Sequence, residues 1–417
     1  MGYELTKSRY CKGLQCRKIL WMDQHHPELG EDVTSQSVLD NGTKVGELAR
    51  SYFGEYELVS FNVNKAEMAD KTRELMRSVD NIAEASFFYD YLFCAVDILH
   101  RNGDGRLKSM MKYVSQSQEP EKDIDLCCDK PYPCAYRKYC GRHVPEYSVF
   151  NLARMQAKKK YELYHEGVVS YQDILSSGAK INANQKRQVE SVLYDKPDEY
   201  DVEEIKKFLE TLSYPIYHLD FETFQQAVPE FVGCRPYEQI PFQYSLHVEY
   251  EDGRLEHFEF LAKEGEDPRR ALAEQLIKDI PVGVCATAYN MSFKKTVLKH
   301  LAEEFPDLSA HLMDIHDNMH DLMIPFQKQY YYSKAMQGSY SIKYVLPALW
   351  PGDPELDYHN LEGVHNGSEA SASFADMVNH TPEEIAEMRD NLLKYCGLDT
   401  YAMVKVLKKL KEIAGKD

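Results

Sequence analysis

One short stretch, YPIYHLDFETF at residues 214–224, narrows the possible folds of this chain more than any other. Its aromatic and β-branched residues read as a strand, and the apolar flanks IYHL and F mark it as a central one. Residues two apart on a strand face the same side, so Asp220 and Glu222 project together. Two carboxylates held that close repel one another unless protons or cations neutralise them. Solvent on an edge strand, or a salt bridge, would also relieve the repulsion. On a central strand the better explanation is a pair that holds metal.

Such a pair calls for partners, because hard divalent cations about 4 Å apart need several oxygen ligands to clamp a phosphoryl group. Far downstream, NLLKYCGLDTYAMVKVL has helical periodicity and spaces Tyr395 and Asp399 at i,i+4, phenol and carboxylate on one face. That spacing is common on its own. Coupled to Asp-x-Glu at the head of a strand-rich half, it becomes specific.

At 417 residues the chain is too long for one ordinary core. Residues 1–147 combine a cysteine-rich part with the pattern FFYDYLFCAVDILHRNGDGRLKSMMKYV, which reads as a hairpin around an NGDG turn. Residues 148–202 alternate helical patterns with Gly- and Pro-marked turns and are expected to form a helical connector. From 203 onward, the amphipathic VEEIKKFLETL leads into strands that give way to alternating helices, the signature of an α/β domain. No run of about 18 apolar residues exists, so no membrane association is expected. The opening residues lack an apolar signal core, which points to the cytoplasm. The net charge of −18 excludes a surface uniformly coated for nucleic acid, and the local patches QAKKKYELY and NQKRQ read chiefly as solvated helix faces.

On Asp220, Glu222, Tyr395 and Asp399, residues 203–417 resemble the proofreading-type DEDD exonucleases of the ribonuclease H-like fold, in their tyrosine variant. The family's middle motif is Asn-x-x-Phe followed by an acid. In AYNMSFKKTVLKHL, Asn290 and Phe293 match, but Lys294 stands where the acid belongs. The exchange takes a formal charge of about −4 to about −2 and weakens divalent-cation binding, the second ion most. Asp321 could replace the missing acid, the Lys294 ammonium could stand in for a cation at the phosphate, or catalysis could be lost. The resemblance implies Mg²⁺ or Mn²⁺ held by Asp220, Glu222 and Asp399, with Tyr395 orienting a water and nucleoside monophosphates leaving a 3′ end. Arg235 and Tyr237 in RPYEQIPFQYS and Lys343 in MQGSYSIKYVLPALWP, with Asn290 and Lys294, are candidate substrate-binding groups; loop packing explains the first three equally well.

In the first part, CCDKPYPCAYRKYC spaces Cys128, Cys134 and Cys140 six residues apart, and a four-coordinate site needs a distant fourth thiolate, from Cys11 or Cys16. The arrangement resembles RecB-like, CRISPR-associated-type nucleases, whose one early and three late cysteines clasp a [4Fe-4S] cluster; the match aligns best on Cys16. Zinc is the alternative metal. Of the nuclease motif of that PD-(D/E)XK-like fold, Asp97 matches the first acid and Lys112 the lysine, but Met110 takes the place of the glutamate and offers no hard oxygen to Mg²⁺. A truncated, disarmed α/β domain closed by four cysteines is expected there, one that binds or braces and does not cut.

The layout as a whole resembles a bacterial family that fuses such an iron–sulfur nuclease domain to a ribonuclease H-like exonuclease domain. Two functions follow as expectations. One is a metal-dependent 3′–5′ exonuclease on single-stranded or frayed ends, with single-stranded DNA as the expected partner. The other is a nucleic-acid-binding or scaffold protein built from two degenerate nuclease domains.

Overall fold

The computed structural model describes residues 7–31, 50, 56–79, 81–89, 92–99 and 117–415. The chain divides into two units, Met1–Phe150 with Arg154–Ala179, and Asn151–Ala153 with Lys180–Asp417.

The first unit opens with helices α1 (Lys7–Gln15) and α2 (Arg17–His25). Strand β1 (Glu57–Leu58) and helix α3 (Lys65–Leu75) precede the hairpin β2 (Ile82–Tyr89) and β3 (Leu92–Leu99). The strands form a three-stranded sheet in the order β1-β2-β3, with β1 parallel and β3 antiparallel to β2. Met68 and Leu75 of α3 pack on Ile82, Ala85 and Phe93, because their spacing gives the helix one apolar stripe. The expected hairpin around NGDG is not the one described: β3 pairs with the strand before it, β2, and NGDG with the strand expected after it lie outside the described residues. So do Met110 and Lys112. Asp97 lies on β3. The short helix α4 (Arg137–Cys140) follows the cysteine-rich loop, and α5 (Ala157–His165) and α6 (Tyr171–Ser176) complete the unit.

The second unit begins with α7 (Ala183–Leu193), strand β4 (Glu199–Tyr200) and α8 (Val202–Leu209). A five-stranded sheet follows from β5 (Ile216–Phe224), β6 (Ile240–Glu249), β7 (Leu255–Leu261), β8 (Cys285–Ala288) and β9 (Met319–Asp321). Its order is β7-β6-β5-β8-β9; the first three are mutually antiparallel, and β8 and β9 run parallel to β5. Between the strands lie α9 (Arg269–Asp279), α10 (Met291–Glu304) and α11 (Ser309–Asp317). These three helices bury one face of the sheet, on Tyr217, Leu219 and Phe221 of β5 and their neighbours.

The other face is covered by α12 (Ile324–Gln327), α13 (Ile342–Leu349), α14 (Gly367–Asp376) and α15 (Pro382–Ala414), with β10 (Tyr331–Tyr332) pairing β4 aside from the main sheet. The 33 residues of α15 start at a capping box, Thr381 with Glu384 and Pro382 in the first turn, and stop at Gly415 in the left-handed conformation (φ 66°).

The expected connector, residues 148–202, does not stand apart as a third body. Its α5 and α6 belong to the first unit, where Phe150 packs its ring on Tyr161 and Tyr164. Its α7 belongs to the second, where Gln185 and Gln188 donate to the carbonyls of Ala153 and Asn151. A helical periodicity shows that a helix has a buried face; it does not show which core receives that face. Among the described residues, no helix is long and apolar enough to cross a membrane.

Candidate functional site

Strand β5 pairs with β8 only from Ile216 to His218, so Asp220 and Glu222 lie beyond the end of that pairing, where two parallel strands part. In open α/β sheets this crevice at the carboxyl ends of strands is the usual place for a ligand. Toward β6, Asp220 faces Ser245 and Glu222 faces Gln243, with a register shift immediately after Glu222. Alternation sends Leu219 and Phe221 into one core and the two acids toward the opposite face. There α15 brings Tyr395 and Asp399, both buried.

The acids form a nest with one shared field. Burial first, then Asp399 and Asp220, push Glu222 well above the ordinary carboxylate range. Burial and Asp220 likewise push Asp399 up to about 7, against the pull of a hydrogen bond from Tyr358. The Tyr358 hydroxyl donates to Asp399 Oδ1 over 2.7 Å. Tyr395 is pushed far up by burial and then by Asp399, Glu222 and Asp220, so its phenol keeps its proton. Two lysines oppose this negative charge. Lys343, in the first turn of α13, favours the charged forms of Glu222 and Asp399. Lys294 makes direct contact, its Nζ 2.6 Å from Asp220 Oδ1.

Asp321, one of the alternatives for making good the acid missing at Lys294, is committed elsewhere. It accepts from the backbone N–H groups of Asn290, Met291 and Met323 at 2.9–3.0 Å. It therefore caps the start of α10 from the neighbouring strand β9, while Asn290 turns the chain in the left-handed region (φ 63°). Arg235 and Tyr237 occupy an exposed loop between β5 and β6, and the structure brings neither into the nest.

The sequence gives no sign of Tyr358. It sits in the polar run DPELDYHNLEG, whose sequence has no periodicity that would mark it. Beside the nest, Thr400 Oγ1 is joined to Ser245 Oγ (2.6 Å) and His247 Nδ1 (2.8 Å), and Ser245 Oγ also meets His257 Nε2 (2.9 Å). Burial pushes His247 down to about 3, so its ring is neutral. This buried polar patch locks α15 against β6 at the residue next to Asp399.

In the first unit, Cys16, Cys128 and Cys134 are buried and Cys140 is partly buried, whereas Cys11 is exposed. Cys16 precedes α2, outside the regular helix, and Cys140 ends α4. The loop between is held by a bond from Cys134 N to Cys128 O (2.8 Å), while Gln15 donates to the carbonyls of Cys127 and Tyr132. Burial raises Cys134 to about 11, and Cys128, Cys16 and Cys140 each add to it. Cys127, absent from the expected set, is raised to about 12 by burial and then by Cys128 and Cys16. Lys18, which pairs with Glu119 at 2.7 Å, favours the Cys140 thiolate.

Hard carboxylate oxygens suit Mg²⁺ or Mn²⁺ in the nest, and thiols suit a soft metal in the loop. Among the described residues, however, no three of His, Cys, Asp and Glu stand at metal-holding spacing. In the nest, Asp220 is drawn to Lys294 rather than to the other two acids.

A family model described as a domain of unknown function (DUF2779) matches residues 217–341. The matched stretch includes Asp220, Glu222, Lys294 and Asp321 and stops short of Lys343, Tyr358, Tyr395 and Asp399. No curated protein and no solved structure matches the chain.

Proposed function

We propose that the second unit is a divalent-metal-dependent 3′–5′ exonuclease domain of ribonuclease H-like, tyrosine-type DEDD character, acting on single-stranded or frayed ends. The observation that carries this reading is the meeting of Asp399 and Tyr395 of α15 with Asp220 and Glu222 of β5 in one buried nest. The sheet supports it too, three antiparallel strands continued by two parallel ones. Asp220, Glu222 and Asp399 would hold Mg²⁺ or Mn²⁺, which supplies Lewis acidity toward a phosphoryl oxygen and a more acidic bound water. The chain's own groups do the rest. Tyr358 fixes the orientation of Asp399, and protonated Tyr395 offers an O–H that can orient a water. Lys343 is an exposed point charge near the acids, suited to a phosphate. Arg235 and Tyr237 are placed on an exposed loop, where a basic group and an aromatic ring suit a nucleic-acid strand.

For the first unit, the gathering of Cys16, Cys128, Cys134 and Cys140 supports a metal clasp, [4Fe-4S] or else zinc, on a RecB-like domain that binds without cutting.

One observation favours a second reading, a nucleic-acid-binding scaffold: the Lys294 ammonium already neutralises Asp220. Digestion of 5′-labelled oligonucleotides with Mg²⁺ or Mn²⁺ separates the two. A metal-dependent ladder that vanishes in Asp220→Asn supports the exonuclease. Binding without any cleavage sinks it and leaves the scaffold.

A further inference from the structure

We infer that the acid nest takes a single divalent cation and carries its second positive charge permanently, as the ammonium of Lys294. The inference rests on the reading of the nest as a cation site, and deepens it.

Asp220 and Glu222 lie where β5 and β8 part, and the bond between Thr400 and Ser245, the residue opposite Asp220 on β6, brings the adjoining Asp399 to the same side of the sheet. A formal charge of −3 in a buried site calls for cations. One is built in. Lys294 is only 9 % exposed, and its Nζ lies 2.6 Å from Asp220 Oδ1. A buried ammonium is stable only when paired, and this one is, with Asp220 within hydrogen-bond distance.

The position of Lys294 is fixed from two sides. Asp321 caps the first N–H groups of α10, and Lys294 is in that first turn. The cap therefore delivers the ammonium to the end of β5, and a long flexible side chain is not left to find the acid by chance. Asp321, which the sequence offers as a replacement ligand, is thus the group that seats the lysine.

What remains for a divalent ion is Glu222 and Asp399, with Tyr358 steadying the latter. A second ion drawing on Asp220 would have to displace Lys294 or sit against its charge. Both oppose binding.

Mn²⁺ binding to the full-length chain, counted by equilibrium dialysis at neutral pH, tests this. Asp399→Asn removes the nest's capacity, so its count subtracted from that of wild type isolates this site from any other. A difference of one supports the inference. A difference of two overturns it, because Lys294 then yields to a second ion, and leaves the metal-site reading intact. A difference of zero removes the nest as a metal site and the inference with it. Lys294→Asp supplies the converse: the count rises by one, and coupled Mn²⁺ pairs become visible by electron paramagnetic resonance. A folded Lys294→Asp protein that still binds a single ion refutes the assignment of the second charge to the lysine. Should this variant fail to fold, the wild-type comparison decides by itself.

Discussion

Tyr358 and Asp399 lie 41 residues apart in the chain, yet the phenol donates to the carboxylate over 2.7 Å inside a nest of three acids. The bond opposes everything else that acts on Asp399 apart from the two lysines. Burial and Asp220 disfavour its charge; Tyr358 favours it.

Tyr358→Phe keeps the ring and deletes that support. A hydrogen bond to a charged group contributes roughly 1.5–3 kcal/mol, about one to two pKa units. Asp399 should then hold its proton to higher pH, and cation binding should follow. The acidic limb of Mn²⁺ affinity is expected to move up by about one pH unit. A titration of affinity against pH that superimposes on wild type would show the bond to be idle.

The same carboxyl predicts a pH-dependent response to metal. Its folded-state value is raised from 3.8 to about 7, so the folded protein binds the extra proton and the unfolded chain does not. Stability from this group is present in acid and is lost as pH rises between those two values. A cation binding the ionised nest restores it. Added Mn²⁺ should therefore raise the melting temperature of the second unit by several degrees at about pH 8 and hardly at all at about pH 5. Scanning calorimetry with and without Mn²⁺ reads the difference; an equal gain at both pH values contradicts it.

The sequence made part of this nest legible because two short-range periodicities suffice for it. Period two puts Asp220 beside Glu222, and i,i+4 spacing puts Tyr395 beside Asp399. Thr381, Pro382 and Glu384 announce the start of α15 in the same local way. What escaped depends on through-space contacts. Asp321 looks like a spare acid until β9 is placed beside β8, when it becomes a cap. Tyr358 has no neighbours in sequence that reveal its use. The polar residues His218, Ser245 and His247 interrupt apolar strands, but only the register of β5 on β6 sets Ser245 opposite Asp220. The division of residues 148–202 between two cores escaped for the same reason.

In the first unit the four-thiol reading makes a prediction about choice. Cys16 is buried and acts on Cys128 and Cys134, whereas Cys11 is exposed. Protein purified without air is expected to be brown, with iron and sulfide bound. Cys16→Ser should lose the colour and Cys11→Ser should keep it. Colourless protein with stoichiometric zinc would replace iron–sulfur by a zinc clasp; colour lost from Cys11→Ser alone would reverse the assignment of the early ligand.

The last prediction concerns how α15 is held in register. Thr400 follows Asp399, and its hydroxyl meets Ser245 and His247 of β6 in a fully buried patch, with the Gly397 carbonyl as a further acceptor at 3.2 Å. A helix can slide or rotate on a flat apolar face, because dispersion contacts have little directional preference. Hydrogen bonds do have one, and these fix the rotation that sends Tyr395 and Asp399 toward β5. Thr400→Val keeps the shape and strands Ser245 and a neutral His247 without that partner, which should destabilise the second unit by about 2 kcal/mol. Thr400→Ser keeps the hydroxyl and loses only a methyl group, a cost of about 1 kcal/mol. Urea unfolding gives both values, and a double-mutant cycle with Ser245→Ala should show a coupling of at least about 0.5 kcal/mol. If Val and Ser cost the same and the cycle is additive, the hydroxyl does not clamp the helix, and the alignment of Asp399 with Asp220 must come from the apolar packing of α15 alone.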